Sequence, residues 1–252
     1  METLEYHFAL FRNEEPSAKG SAALCSTTCR LLGAEGSPLF CSVFEGLRGS
    51  ITSQIAVKMS SDAAIARATE IASTHTTEDG AATEVVRESF KSANSEVYQY
   101  GHRMGAGGKM GATGLIAGVA GAKLAVGRVG AYEGFLCRDR SIVPIFEPHA
   151  AAKPEHAPGM LARFIGANAQ ILVDLAAVKL KDNDLIVLTT LQDNPQVRAA
   201  VEAAAEEKVP LEERARMIAR AAVNAGYGAE REMVVVAIRV GRPTIMLREV
   251  VE

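Results

Sequence analysis

Apolar and polar positions along the 252-residue chain follow two spacings. Short runs dense in β-branched and aromatic residues predict strands at YHFALF (6–11), LFCSVF (39–44), GLIAGVA (114–120), KLAVGRVG (123–130) and YEGFLCRD (132–139). Ile171 to Thr190 predicts two strands around the KDND turn, and EMVVVAIRVG (232–241) the last one. Several of these runs are apolar throughout, so they belong in a sheet covered on at least one face.

Longer windows carry helical spacing. Ser50 to Thr74 places Ile55, Val57, Met59, Ala63, Ile65, Ala66, Ala68 and Ile71 closer to a 3.6 than to a 2 period. Thr83 to Gly101 does the same with Val85, Val86, Phe90, Ala93, Val97 and Tyr98. A short helix is predicted at GMLARFIG (159–166). Asn194-Pro195 offers an N-cap and first helical position, and a following helix from Pro210 ends at Gly226. Helices come in pairs and strands in hairpin-linked runs. The prediction is an α+β layered fold with antiparallel sheets, one domain over residues 1–252.

The glycine-rich stretch GHRMGAGGKMGATG, Gly101 to Gly114, raises a phosphate loop as a candidate. A Walker loop needs glycine five positions before Gly108 and a hydroxyl after Lys109, but Arg103 and Met110 stand there. Met110 also takes the place of the third glycine in a dinucleotide fingerprint. The glycines therefore introduce a β-hairpin with its turn at Ala120 to Lys123. His102, Arg103 and Lys109 are left with two readings, contacts to a phosphorylated ligand or a solvated loop.

Composition narrows the function. The net charge is −3 and no basic run exceeds a pair, so nucleic acid is not expected as a partner. No apolar segment approaches the roughly 18 residues of a membrane span. The N-terminal METLEYHFALFRNEE lacks the pattern of a secretory signal, and a cytoplasmic location is expected. Cys25 and Cys29 share a helical spacing with no second ligand pair at zinc-site distance, and Cys25 and Cys137 read as packing residues. Neither H-E-x-x-H nor G-x-S-x-G occurs, and His149 reads as a structural turn residue.

Six segments, taken in order over nearly the whole chain, resemble the metal-dependent serine/threonine phosphatases of the PPM, or type-2C, family. FRNEEPSA, with Asn13, Glu14 and Glu15, is similar to the family's N-E-D segment. VFEGLRGSITSQIA, with Glu45, Gly46 and Gly49, is similar to its D-G-x-x-G and following helix. KMGATG through EPHA is similar to the G-T-T hairpin, the V-G-D-S-R strand and the D-H-S turn; GMLARFIG is similar to the T-R-x-x-G helix. KLKDNDLIVLTTLQDN and GAEREMVVVAIRV are similar to the strands bearing S-D-G-x-x-D and D-N.

The resemblance implies a four-layer α/β/β/α sandwich of two antiparallel sheets flanked by helix pairs. It also implies chemistry in which two Mn²⁺ or Mg²⁺ ions, held by carboxylates, activate a bridging water against a phosphoryl group. The matched positions depart from that pattern. Glu45 stands for the bridging aspartate and Gly46 is kept, but Thr190 and Leu191 stand for S-D-G's Asp-Gly, Arg231 for the D-N aspartate and Ala131 for the V-G-D-S-R aspartate. Leu10 stands where the family has a phosphate-binding arginine, with Arg12 out of register. A guanidinium about 4 Å from a divalent ion opposes it by roughly 8 kcal/mol at an effective dielectric of 20.

Two placements of Arg231 stay open, in the vacated site paired with Glu45 or Glu15, or in solvent. Asp193, Asn194, Glu230 and Glu232 are either the makings of one weak metal site or turn residues. The first functional expectation is a catalytically impaired, regulatory or protein-binding module with no cofactor, docking a phosphoprotein, a kinase or an assembly subunit. The alternative is a divergent Mn/Mg-dependent phosphatase using Glu15, Glu45 and Gly46. A third reading is a subunit that self-associates.

Overall fold

The computed structural model describes residues 6–12, 26–28, 39–47, 51–74, 80–147, 163–190, 195–224 and 234–241, the first two segments as backbone. In chain order the elements are β1 (Tyr6–Arg12), β2 (Ser26–Thr28), β3 (Leu39–Gly46), α1 (Ile51–Thr74), α2 (Ala81–Arg103), β4 (Ala112–Ala120) and β5 (Lys123–Val129). There follow β6 (Glu133–Arg138), β7 (Ser141–Pro144), β8 (Asp174–Lys179), β9 (Leu185–Thr189), α3 (Pro195–Glu206), α4 (Leu211–Asn224) and β10 (Val234–Val240).

The strands form two antiparallel sheets, ordered β1-β10-β9-β6-β7 and β2-β3-β4-β5-β8. Strand alternation sorts side chains into three buried layers. Phe40 and Phe44 of β3 face α1 and α2 together with Ile116, Ala125 and Val129. Cys41 and Val43, one position over, meet Leu115 and Val126 between the sheets, where Leu188, Val236 and Ile238 come from the other side. Phe135, Val187, Val235 and Ala237 pack outward against Val197 and Val201 of α3 and Ile218 of α4. With both faces covered, β4 and β9 are buried along their whole length, which is why their sequences do not alternate.

The predicted β4–β5 hairpin is present, closing from Ala120 to Lys123 with Gly121 at φ +54°. Its glycine-rich prelude begins inside α2. That helix runs on to Arg103, where Met104 N–H donates to Tyr100 and Ala106 N–H to Gly101, and Gly105 turns at φ +68°.

One sequence expectation is corrected and another is refined. The described part of the predicted 159–166 helix is not helical, because Ile165 exchanges both backbone hydrogen bonds with Ala112 at 2.8 and 3.2 Å. The side chain of Asn94, buried on α2, holds this segment by accepting from Gly166 N–H at 2.9 Å and donating to the carbonyls of Asn168 and Ala169. The strands flanking KDND are both present but do not form a hairpin. Strand β8 bonds to β5, whereas β9 bonds to β6 and β10 in the other sheet. The turn is a corner between sheets, fixed by buried Asp184, which accepts from Lys181 N–H and from both Nε and a terminal nitrogen of Arg138.

Candidate functional site

One end of the sandwich gathers the described matched positions Glu45, Gly46 and Thr190. Glu45 follows Cys41 and Val43 in the alternation and so sits on the inter-sheet side at the end of β3, half-buried. Gly46 lies opposite Ala112 and against the first turn of α1, where a Cβ would stand 2.8 Å from Ser53 Cβ. The close approach of that helix therefore requires glycine here whether or not its carbonyl serves a metal. Thr113 pairs with Glu45 across β4, and its hydroxyl is 2.9 Å from the Tyr132 hydroxyl.

Thr190 directly follows β9 at the same place, across a narrow seam shared with Val43, Leu115 and Tyr132. Its hydroxyl accepts from Val234 N–H at 3.1 Å, and its own N–H donates to Val234 carbonyl at 3.2 Å. Thr190 is thus bonded into the start of β10. Arg12 of β1 pairs with that same Val234, so the ends of β1 and β9 and the start of β10 meet at one level. Asn13, Glu14, Glu15, Leu191, Asp193, Asn194, Glu230, Arg231 and Glu232 lie outside the described residues, as do Gly49, Cys25, Cys29, His149 and His156.

A residue the sequence reading passed over is prominent here. Arg128 of β5 faces the inter-sheet space and is only 2% exposed. It donates to the carbonyls of Tyr132 (2.5 Å) and Glu147 (2.8 Å), pairs with Glu133 at 3.3 Å, and lies 4.4 Å from the centre of the Phe146 ring. Its Nε lies 3.5 Å from Asp174, within ion-pair range, yet is not aligned for a hydrogen bond. Arg163 takes the same carboxylate at 3.0 Å. A buried guanidinium is tolerated because carbonyls and carboxylates replace its water. The only signal in the sequence was one arginine at an inward position of an apolar strand.

The remaining candidates do not converge. His102 and Arg103 are in the last turn of α2 and Lys109 in the turn after it, all exposed, with the His102 ring edge-on to Tyr98 at 4.3 Å. Cys137 is buried, as its reading as a packing residue expected.

Solved structures share this arrangement. PppA, described as a key regulatory component of T6SS in Pseudomonas aeruginosa, superposes with a TM-score of 0.69 at 15% identity, covering 93% of this chain and 97% of that one. The catalytic domain of the serine/threonine phosphatase PstP, with two manganese ions, gives 0.69 at 16% identity over 95% and 100%. Stp1, a serine/threonine phosphatase of Staphylococcus aureus, gives 0.68 at 15% identity over 96% of each chain. The chain has the fold of the PPM-type serine/threonine phosphatases. No protein-family profile and no curated protein sequence matches it.

At the end of the sandwich where Glu45 and Thr190 lie, the described residues supply one matched carboxylate, Glu45, and the backbone of Gly46. Thr190 contributes a hydroxyl already bonded to Val234, and Ala131 a methyl. Among the described residues no three His, Cys, Asp or Glu side chains are grouped to hold a metal ion. Divalent Mg²⁺ or Mn²⁺ requires several oxygen ligands, carboxylates foremost, so the described residues alone do not fit a pair of such ions. Also among the described residues, no helix is long and apolar enough to cross a membrane.

Proposed function

We propose that the chain is a catalytically impaired PPM-fold protein, a regulatory module that docks a protein partner rather than hydrolysing phosphate. The observation carrying this reading is Thr190. At the matched aspartate position stands a neutral hydroxyl, and its hydrogen bond to Val234 serves the strand, leaving Glu45 the one matched carboxylate described at that end. The substitution of Arg231 at a second matched aspartate position supports it from the sequence. The partner class is a phosphoprotein, a kinase or a subunit of an assembly, in line with a protein of the same fold, PppA, being a regulatory component of T6SS. Self-association is a third reading, which light scattering tests directly.

A divergent Mn/Mg-dependent phosphatase is the second reading. It is favoured by the half-buried Glu45 carboxylate beside Gly46, with Glu15 as a further ligand, and by the two manganese ions of PstP. Calorimetric titration with Mn²⁺, together with p-nitrophenyl phosphate hydrolysis by the wild type and Glu45→Ala, separates the two. The regulatory reading expects no saturable heat and no metal-dependent turnover. Turnover that requires Mn²⁺ and vanishes in Glu45→Ala overturns it.

A further inference from the structure

A cavity of about 520 Å³ opens at the opposite end of the β1-β10-β9-β6-β7 sheet from the end level with Glu45 and Thr190. Along the strands its floor is the row Cys137, Leu185 and Arg239, whereas the other end is marked by the row Glu133, Thr189 and Val235. Four residues separate the rows, roughly 13 Å at 3.3 Å per residue. The cavity also lies on the outer face of the sheet, under the C-terminal end of α3 and the first turn of α4, and not between the sheets.

Its charges are unevenly compensated. The charge of Arg138 is compensated by Asp184, which accepts from its Nε and one terminal nitrogen. Arg214, 6% exposed, donates to three backbone carbonyls, those of Ala205, Glu207 and Val209. Of its five N–H groups this leaves two, one on each terminal nitrogen. No described carboxylate lies within ion-pair distance of Arg214 or of Arg239, which lines the same space. Glu202 and Glu206 lie on the exposed side of α3 at the rim, and the exposed Asp139 and Arg140 form the tip of the β6–β7 turn.

We infer that this cavity binds a small phosphate monoester, its dianionic head between Arg214 and Arg239 and its hydroxyl-bearing body toward Glu202 and Glu206. Two guanidiniums, one buried and one half-buried, with no described carboxylate within ion-pair distance, match two negative charges, and the planar fork of arginine suits phosphate oxygens. Burial and the facing Arg239 both pull the Arg214 pKa below its ordinary value, a repulsion that an anion relieves. The volume suits a ligand larger than the bare ion. The rim glutamates offer acceptors to sugar-type hydroxyls and disfavour a ligand that is anionic throughout. Burial raises the pKa of the Cys137 thiol on the floor, which disfavours the thiolate as a nucleophile toward the phosphoryl group.

Calorimetric titration of the full chain with glucose 6-phosphate, inorganic phosphate and glucose tests this. Glucose 6-phosphate is expected to bind, inorganic phosphate more weakly and glucose not at all. Arg239→Gln should weaken glucose 6-phosphate at least tenfold, while Glu45→Ala, at the far end, leaves it unchanged. Arg214 is kept in these variants because it closes α3. Absence of heat from both phosphates at millimolar concentration overturns the inference on the wild type alone. Equal affinity in wild type and Arg239→Gln, or loss in Glu45→Ala, overturns it as well.

Discussion

Thr190 and Cys137 each turn a substitution into a measurable property. Thr190→Val removes the acceptor for Val234 N–H while keeping the side-chain volume. An amide losing its partner at a partly buried position costs about 1–3 kcal/mol, and urea denaturation should show it, with Thr190→Ser recovering most of the loss. The Cys137 thiol has its pKa raised from 9.0 to about 12 by burial, with the Arg214 charge only partly opposing and Asp184 and Glu202 adding to the rise. It should therefore resist iodoacetamide at pH 8 in the folded protein and react on unfolding. The folded state holds this proton more tightly than the unfolded chain, so its contribution to stability is intact below pH 9 and is lost as pH rises toward about 12. Denaturation midpoints across that window check the sign. Identities such as Thr190, Ala131 and Glu45 were legible once the six segments were put in register. Arg128 was not, since its role depends on Glu133, Glu147 and Phe146 reaching it from a different part of the fold.

Helices and strands came through in the periodicity, and the misreadings occurred where a tertiary contact outweighed it. Helix α1 was expected from Ser50 and runs from Ile51. Gly101 seemed to end α2, but it is buried against Ala106 and Met110, and the helix passes through it. Apolar spacing in 159–166 suggested a helix until Ile165 found Ala112 and Asn94 found Gly166. That anchor makes its own prediction. Asn94→Ala leaves Gly166 N–H and the carbonyls of Asn168 and Ala169 without the amide, a loss of about 1–3 kcal/mol. Hydrogen exchange should speed up first at Gly166 and Ile165, with the β4–β5 hairpin less affected. Strand pairing was harder to read than strand presence. The β8 and β9 sequences suit either side of a corner; the strand pairing shows that the chain changes sheets there, and the Asp184–Arg138 contact holds the corner.

At the scale of the molecule, the two sheets share one buried layer, and the side chain of Arg128 in one sheet bonds Tyr132 and Glu133 at the start of β6 in the other. We expect residues 1–252 to unfold as one domain. Scanning calorimetry should give a single transition whose calorimetric and van't Hoff enthalpies agree. Arg128→Met removes the ion pair to Glu133 and the donor to the Tyr132 and Glu147 carbonyls, and should lower stability by about 3–5 kcal/mol without splitting that transition. Two separate peaks would mean that the sheets are independently stable. The layered architecture was legible from the order of elements, because paired helices between strand runs leave few ways to cover both faces. The cavity beneath α3 was not, since Arg214 and Arg239 are 25 residues apart and meet only after α4 folds back on β10.

The strand order has one more consequence. Strand β10 lies between β1 and β9, and β1 bonds to no other described strand. A ribosome releases β1 first and must synthesise more than two hundred further residues before its neighbour emerges. During translation that early strand has an open edge, and nascent chains halted before Val234 should be held by chaperones or cleaved by proteases until the last strand is inserted.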